Sequence, residues 1–182
     1  MSGDRLRRGV WDSAYEYYGA HPFDGGWVFR VWAPQARCVA LSGDFNEWQR
    51  WDMRRLEDGT WELTVENARQ FDGYQYVVTQ GDGREVWKSD PYGFHQETRP
   101  STNSKLYDIG GYTWHDEKWR QRREGTHPAE GYVNIYEVHL GSWRRTEDGQ
   151  VLNYRDMADQ MALYVRDMGY NYVELLPVTE YP

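Results

Sequence analysis

The chain has 182 residues, room for one complete small domain and part of a second. Its formal net charge is -8, from 21 Lys and Arg against 29 Asp and Glu; with no long basic run, this argues against a polyanion-binding surface and makes nucleic acid an unexpected partner. Ten Trp and fifteen Tyr stand against five Phe, so most of the aromatic residues carry a polar handle and suit half-wet surfaces where a ring stacks on a sugar, although a β-rich core is expected to absorb the majority of them.

Residues 1–8 are basic, but the string that follows, Val10-Trp11-Asp12-Ser13-Ala14-Tyr15-Glu16, is broken by charge. It reads as neither a signal peptide nor a membrane anchor, and no membrane partner is expected. Cys38 is the only cysteine, which excludes an internal disulfide and a thiolate zinc site and fits a reducing compartment. The expectation is a cytoplasmic protein with no cofactor.

From about residue 27 to 109 the chain alternates short β runs with turn residues. Trp27-Val28-Phe29-Arg30-Val31-Trp32 is closed by Ala33-Pro34, and Arg37-Cys38-Val39-Ala40-Leu41 by Ser42-Gly43-Asp44; Thr60-Trp61-Glu62-Leu63-Thr64-Val65 starts after Asp58-Gly59. The runs 73–79 and 84–88 flank Gln80-Gly81-Asp82-Gly83, a hairpin signal, and 104–109 supplies a last strand. Six or so strands at this spacing predict a mainly β fold, an antiparallel sandwich of immunoglobulin-like size.

Between Gly110 and Gly131 the sequence turns polar and loses its period of two, and is expected to form a short helix and a linker. His115 and His127 lie there among charged residues without other ligands at suitable spacing, so they are read as solvated rather than metal-binding. Beyond, Asn134-Ile135-Tyr136-Glu137-Val138-His139-Leu140 reads as a strand. Asn153 stands at a helix N-cap with Asp156 three residues on; Tyr154, Met157, Met161, Tyr164, Val165 and Met168 recur at helical spacing, and Gly169 ends the run. Tyr172-Val173-Glu174-Leu175-Leu176 is a second strand. Together these make one βαβ unit, which cannot by itself close a parallel sheet and is expected to open a larger domain.

In combination these strings resemble a known layout. Phe29-Arg30-Val31-Trp32-Ala33-Pro34, Ser42-Gly43-Asp44-Phe45-Asn46-Glu47-Trp48 and Ser89-Asp90-Pro91-Tyr92 resemble the glycogen-binding β-sandwich module that precedes α-amylase-superfamily enzymes. The segments 135–143 and 174–182 are similar to the first two strands of the catalytic (β/α)8 barrel of 1,4-α-glucan (glycogen) branching enzymes. The resemblance implies a lead-in at 1–19, a carbohydrate-binding module at 20–110, a linker at 111–131 and the start of an incomplete barrel at 132–182. It further implies a transglycosylase that cleaves an α-1,4-glucan and rejoins the piece as an α-1,6 branch through a retaining carboxylate pair. The family's catalytic carboxylates lie on later strands, so no catalytic residue is assigned.

The residues that the resemblance implicates in binding α-glucan are Trp48, in a loop-forming string, Trp87, just after the hairpin turn, and Asn103; Trp51 is a weaker candidate. Related modules carry a Lys where this chain has Val77, after Gln75-Tyr76. Glu137, His139, Glu174 and Glu180 are candidates for lining the enzyme's site, since Glu137 and His139 share the strand face opposite Tyr136, Val138 and Leu140. The other expected partner is the remainder of the catalytic barrel. Two alternatives stay open: a non-catalytic glycogen-binding scaffold, against which the βαβ speaks, and a sister enzyme such as an isoamylase-type debranching enzyme or a trehalose-releasing hydrolase.

Overall fold

The computed structural model describes residues 2–125 and 131–178 and divides into two compact units, Met1–Thr113 and Trp114–Pro182. The first contains helix α1 (Ser2–Arg7) and strands β1 (Gly19–Phe23), β2 (Gly26–Trp32), β3 (Cys38–Gly43), β4 (Trp51–Asp52), β5 (Arg54–Arg55), β6 (Thr60–Val65), β7 (Gly73–Thr79), β8 (Glu85–Lys88), β9 (His95–Gln96) and β10 (Ser104–Lys105). One sheet has the order β1-β2-β6-β5; the other runs β4-β3-β7-β10-β9, with β8 also paired to β7. Every pairing between these strands is antiparallel. The unit is thus mainly β, as its alternating strings require.

Trp27, Phe29 and Val31 alternate inward along β2 while their neighbours stay half-buried. They join Trp61 and Val65 of β6 and Val39, Leu41, Tyr74 and Tyr76 of the facing sheet in one core. Asp90 enters that core almost wholly buried. Its carboxylate accepts hydrogen bonds from the hydroxyls of Tyr74 (2.7 Å) and Tyr76 (3.1 Å) and from the Tyr92 N–H (2.8 Å). Burial pushes the Asp90 carboxyl above its ordinary range, and these donors pull against that shift. The same burial, with the Asp90 charge beside them, drives both phenols far upward.

The structure differs from the sequence expectation at the two ends of the sandwich. Strand β1 has no strong sequence signal, since it contains Pro22, which an edge strand tolerates. Tyr18, inside the expected lead-in, is fully buried, bonds to the Thr60 hydroxyl at 3.1 Å and stacks on Tyr92 at 5.5 Å. At the other end the strand expected over 104–109 covers only Ser104–Lys105, because the Asp108 carboxylate accepts from the Gly110 N–H (2.8 Å) and bends the chain into a 3₁₀ turn.

The second unit holds α2 (Glu117–Glu124), β11 (Ile135–Val138), α3 (Leu140–Trp143), α4 (Tyr154–Asp167) and β12 (Tyr172–Leu175). Strands β11 and β12 are parallel, with Ile135 opposite Tyr172 and Val138 opposite Leu175. The Asn153 side chain caps α4 by accepting from the N–H groups of Arg155 and Asp156, both at 3.0 Å. Gly169, at φ 78°, closes the helix, with Tyr170 N–H on the Val165 carbonyl (2.9 Å) and Gly169 N–H on that of Arg166 (3.1 Å). Val138, Leu152, Met157 and Met161 form the small core beneath, with Tyr136, Leu140 and Val165 at its margin; Tyr154 and Met168, at the ends of the expected stripe, are exposed.

Candidate functional site

The two sheets of the first unit present different outer faces. On the β1-β2-β6-β5 sheet, Glu62 lies across from both Arg30 and Arg54 and is bonded to each at 2.7 Å. Desolvation would raise the Glu62 carboxyl, but the two guanidinium partners outweigh it and hold it low. That face carries this three-charge cluster, with the Arg30 guanidinium also 4.6 Å from the Tyr17 ring centre. The outer face of the other sheet carries rings and amides.

On that second face Gly73, Gln75 and Val77 alternate along β7, with Ser42 opposite Gln75 and with Ala40 and Trp87 flanking Val77. Trp48 reaches it from the turn after β3. Asp44 fixes the ring: one carboxylate oxygen accepts from the Trp48 indole N–H (2.9 Å) and the other from the Gly73 N–H (2.6 Å). Glu47 and Trp48 both take left-handed backbone, φ 54° and 58°, an arrangement disfavoured for side-chain-bearing residues and concentrated at functional sites. Gly73 is the floor. A Cβ there would meet the Asp44 carboxylate at 3.2 Å, the Trp48 ring at 3.5 Å and Asn103 at 3.9 Å. Trp48 and Asn103 therefore converge over one point of the sheet.

Asn103 is half-buried, and its amide nitrogen donates to Glu97 at 2.8 Å. The Ser101 hydroxyl donates to the same oxygen; these two bonds, with Lys105 nearby, hold the Glu97 carboxyl below its usual range. Gln75 donates to the Thr102 carbonyl (3.2 Å) and hydroxyl (3.0 Å), fastening the loop before β10 to β7. Trp87, 43% exposed, stands beside Val77, four residues from Gly73 and so about 13 Å along the strand. The Arg50 guanidinium lies 5.9 Å from its ring centre and is paired to Glu85 at 2.6 Å.

Trp48, Trp87 and Asn103 thus share one sheet face, with Trp48 and Asn103 both beside Gly73. Trp51 is placed elsewhere: it pairs with the core residue Leu41 and leans on Phe45 at 6.1 Å, at the margin of the interior. Val77 is 2% exposed, so that position offers nothing to solvent, and the cation near Trp87 comes from Arg50. Sequence reasoning missed Arg50 and Asp44. Asp44 lies four residues before Trp48, but in an irregular turn that spacing carries no signal.

In the second unit Glu137 and Glu174 are directly paired across β11 and β12, both exposed. The His139 ring nitrogen lies 3.1 Å from the Ser142 hydroxyl. Val138, on the opposite strand face, is buried and Tyr136 is packed against the helix. Glu180 and His127 lie outside the described residues. His115 is exposed, and among the described residues no three His, Cys, Asp or Glu side chains gather as metal ligands.

Residues 17–93 match the family model of carbohydrate-binding module 48, the isoamylase N-terminal domain. Over nearly its whole length the chain is similar to the N-terminal region of 1,4-alpha-glucan branching enzymes. It is 38% identical to the GlgB enzyme of Fusobacterium nucleatum across 97% of this chain and 29% of that protein, and 41% identical to that of Gloeobacter violaceus across 100% of this chain and 26% of that one. The chain therefore spans less than a third of these relatives. Among solved structures it is similar to a putative alpha amylase from Salmonella typhimurium (25% identity, TM-score 0.62, covering 91% of this chain and 25% of that one). A pullulanase from Paenibacillus barengoltzii shares the fold (21% identity, TM-score 0.59, covering 99% of this chain and 31% of that one).

Proposed function

We propose that this chain is the N-terminal part of a glycogen branching enzyme and that the β3-β7-β10 face of its sandwich binds α-glucan. The observation that carries the binding half is the convergence of Trp48 and Asn103 over Gly73, with the indole locked by Asp44 and Trp87 further along the same face. A fixed indole offers an apolar plane to a sugar ring at little entropic cost, and the amide supplies a hydroxyl partner. The cell's cytoplasm suits a single-cysteine chain. Among the described residues no helix is long and apolar enough to cross a membrane.

The βαβ unit is read as the first of a (β/α)8 barrel, on the likeness to branching enzymes and on the parallel pairing of β11 with β12. Glu137, His139 and Glu174 would then stand on the face turned toward the barrel interior or its mouth. The reaction itself belongs to segments that the relatives carry beyond this stretch. Amylose incubated with the purified chain is expected to gain no α-1,6 linkages; new branches would overturn the assignment of catalysis elsewhere. The isoamylase-type alternative has the module's family name behind it, but the curated relatives named above are branching enzymes.

Electrophoresis through native gels with and without glycogen tests the binding face. The chain is expected to be retarded by glycogen. Trp48→Ala should weaken retention about tenfold, the loss of one stacking contact of roughly 1.4 kcal/mol. A wild-type chain that migrates unchanged would show that the module is a structural collar.

A further inference from the structure

The glucan face continues past Trp48 toward the edge of the sheet. Lys105 lies opposite Gly73 on one side and His95 on the other, so the three positions share the face that holds Trp48 and Asn103. Two residues beyond Gly73 and Lys105, Phe71 and Tyr107 close a triangle of rings with His95. The centroids are 5.9 Å apart for Phe71 and His95, 5.8 Å for Phe71 and Tyr107, and 5.7 Å for His95 and Tyr107. Phe71 is 54% and Tyr107 39% exposed.

Two features set this cluster apart from incidental surface rings. Phe71 is held at φ 74°, a conformation bulky residues rarely adopt. The turn is pinned there by Phe71 N–H on the Leu106 carbonyl (2.8 Å), Leu106 N–H on that of Asp72 (3.0 Å), and Arg69 N–H on the Asp72 carboxylate (2.8 Å). The second is His95, whose Nδ1 is buried and has no hydrogen-bond partner among the described residues. Its ring is placed by packing between the other two, at the expense of that nitrogen. Backbone strain and a buried, orphaned polar atom beside two exposed rings are the marks of a surface held for contact.

We infer that Phe71, His95 and Tyr107 form a second stacking platform, which receives the next sugar units of an α-glucan chain already held at Trp48 and Asn103. Only Asp72 separates Phe71 from Gly73, so their Cα atoms lie no more than about 7 Å apart, the reach of neighbouring units in one linear chain. Lys105 lies between Asn103 and Tyr107 and supplies a donor to ring hydroxyls. The occupant is a linear α-1,4-glucan because the platform is continuous with the Trp48 face and has the same make-up of rings with flanking donors. This inference rests on the reading of Trp48 and Asn103 as glucan contacts, and the platform makes that face prefer long chains to short ones.

Calorimetric titration of the 182-residue chain with maltotriose and with maltoheptaose separates the two readings. The variant pair is Trp48→Ala and the double substitution Phe71→Gly with Tyr107→Ser; glycine accepts the backbone at 71 without strain, so the double variant keeps its fold. The double variant is expected to bind maltotriose as the wild type does and to lose about three- to tenfold in affinity for maltoheptaose, the change one ring contact supports. Trp48→Ala should lower both affinities. Equal maltoheptaose binding by the wild type and the double variant would overturn the platform and leave the Trp48 site standing. A wild type that binds neither sugar would overturn both.

Discussion

Trp48, the proposed stacking residue, shows how much of a ring's placement is decided outside its own side chain. Two successive left-handed residues lift it out of the turn, and a single carboxylate, Asp44, holds both its indole and the β7 backbone. The string Gly43-Asp44-Phe45-Asn46-Glu47 made the loop legible, because each of those residue types suits a turn. The clamp was not legible, since it depends on Gly73, far along the chain. Asp90 likewise stands in the string Ser89-Asp90-Pro91-Tyr92, which gives no sign that it is the polar centre of the core. Its folded-state pKa lies above the ordinary 3.8, so folding takes up protons: its contribution to stability is fully present below that value and is lost as pH rises through the folded value. The advantage of wild type over Asp90→Asn in urea midpoints should therefore be largest at acid pH and shrink toward neutrality. A growing advantage with rising pH would contradict the burial argument.

At the scale of elements, legibility followed the strength of the local pattern. β2, the β7-β8 hairpin and α4 were all expected, since each combines a full period with turn or cap residues. β1, β9 and the short β10 owe their pairing to tertiary neighbours, and no run of two residues can carry a period. Helix α4 has a good cap but a narrow core, with Met157 and Met161 its only buried residues. Its N-terminal bonds therefore matter disproportionately: Asn153→Ala should cost the second unit about 1 kcal/mol. The readout is the exchange of α4 amides, which should quicken while those of β2 and β7 stay unchanged.

At the scale of the whole molecule, the two described units differ in how much core they close. The sandwich closes a core from two sheets, whereas the second unit has two parallel strands, whose residues Tyr172, Val173 and Leu175 are all exposed. It also has an open, almost wholly apolar cleft of about 310 Å³ between Leu140, Met157, Met161 and Leu175. Two strands and a helix are marginal alone. Hydrogen exchange on the chain should show β3 and β7 amides protected far longer than those of β11 and β12; a single shared opening rate would mean that the units fold as one. The likeness of the β part to a carbohydrate-binding module was legible in its strings. The face proposed to bind was not, since it is made by register and by loops from four separate stretches.

The pair of phenols on Asp90 gives the protein an optical clock of its own. Tyr74 and Tyr76 can ionise only after leaving the core, because burial and the carboxylate hold their protons far above the ordinary phenol range. When the chain is jumped to alkaline pH, exposed tyrosines change absorbance within the mixing time. The last step of the signal, from these two rings together with the buried Tyr18, reports the rate at which the sandwich opens, with no dye and no substitution.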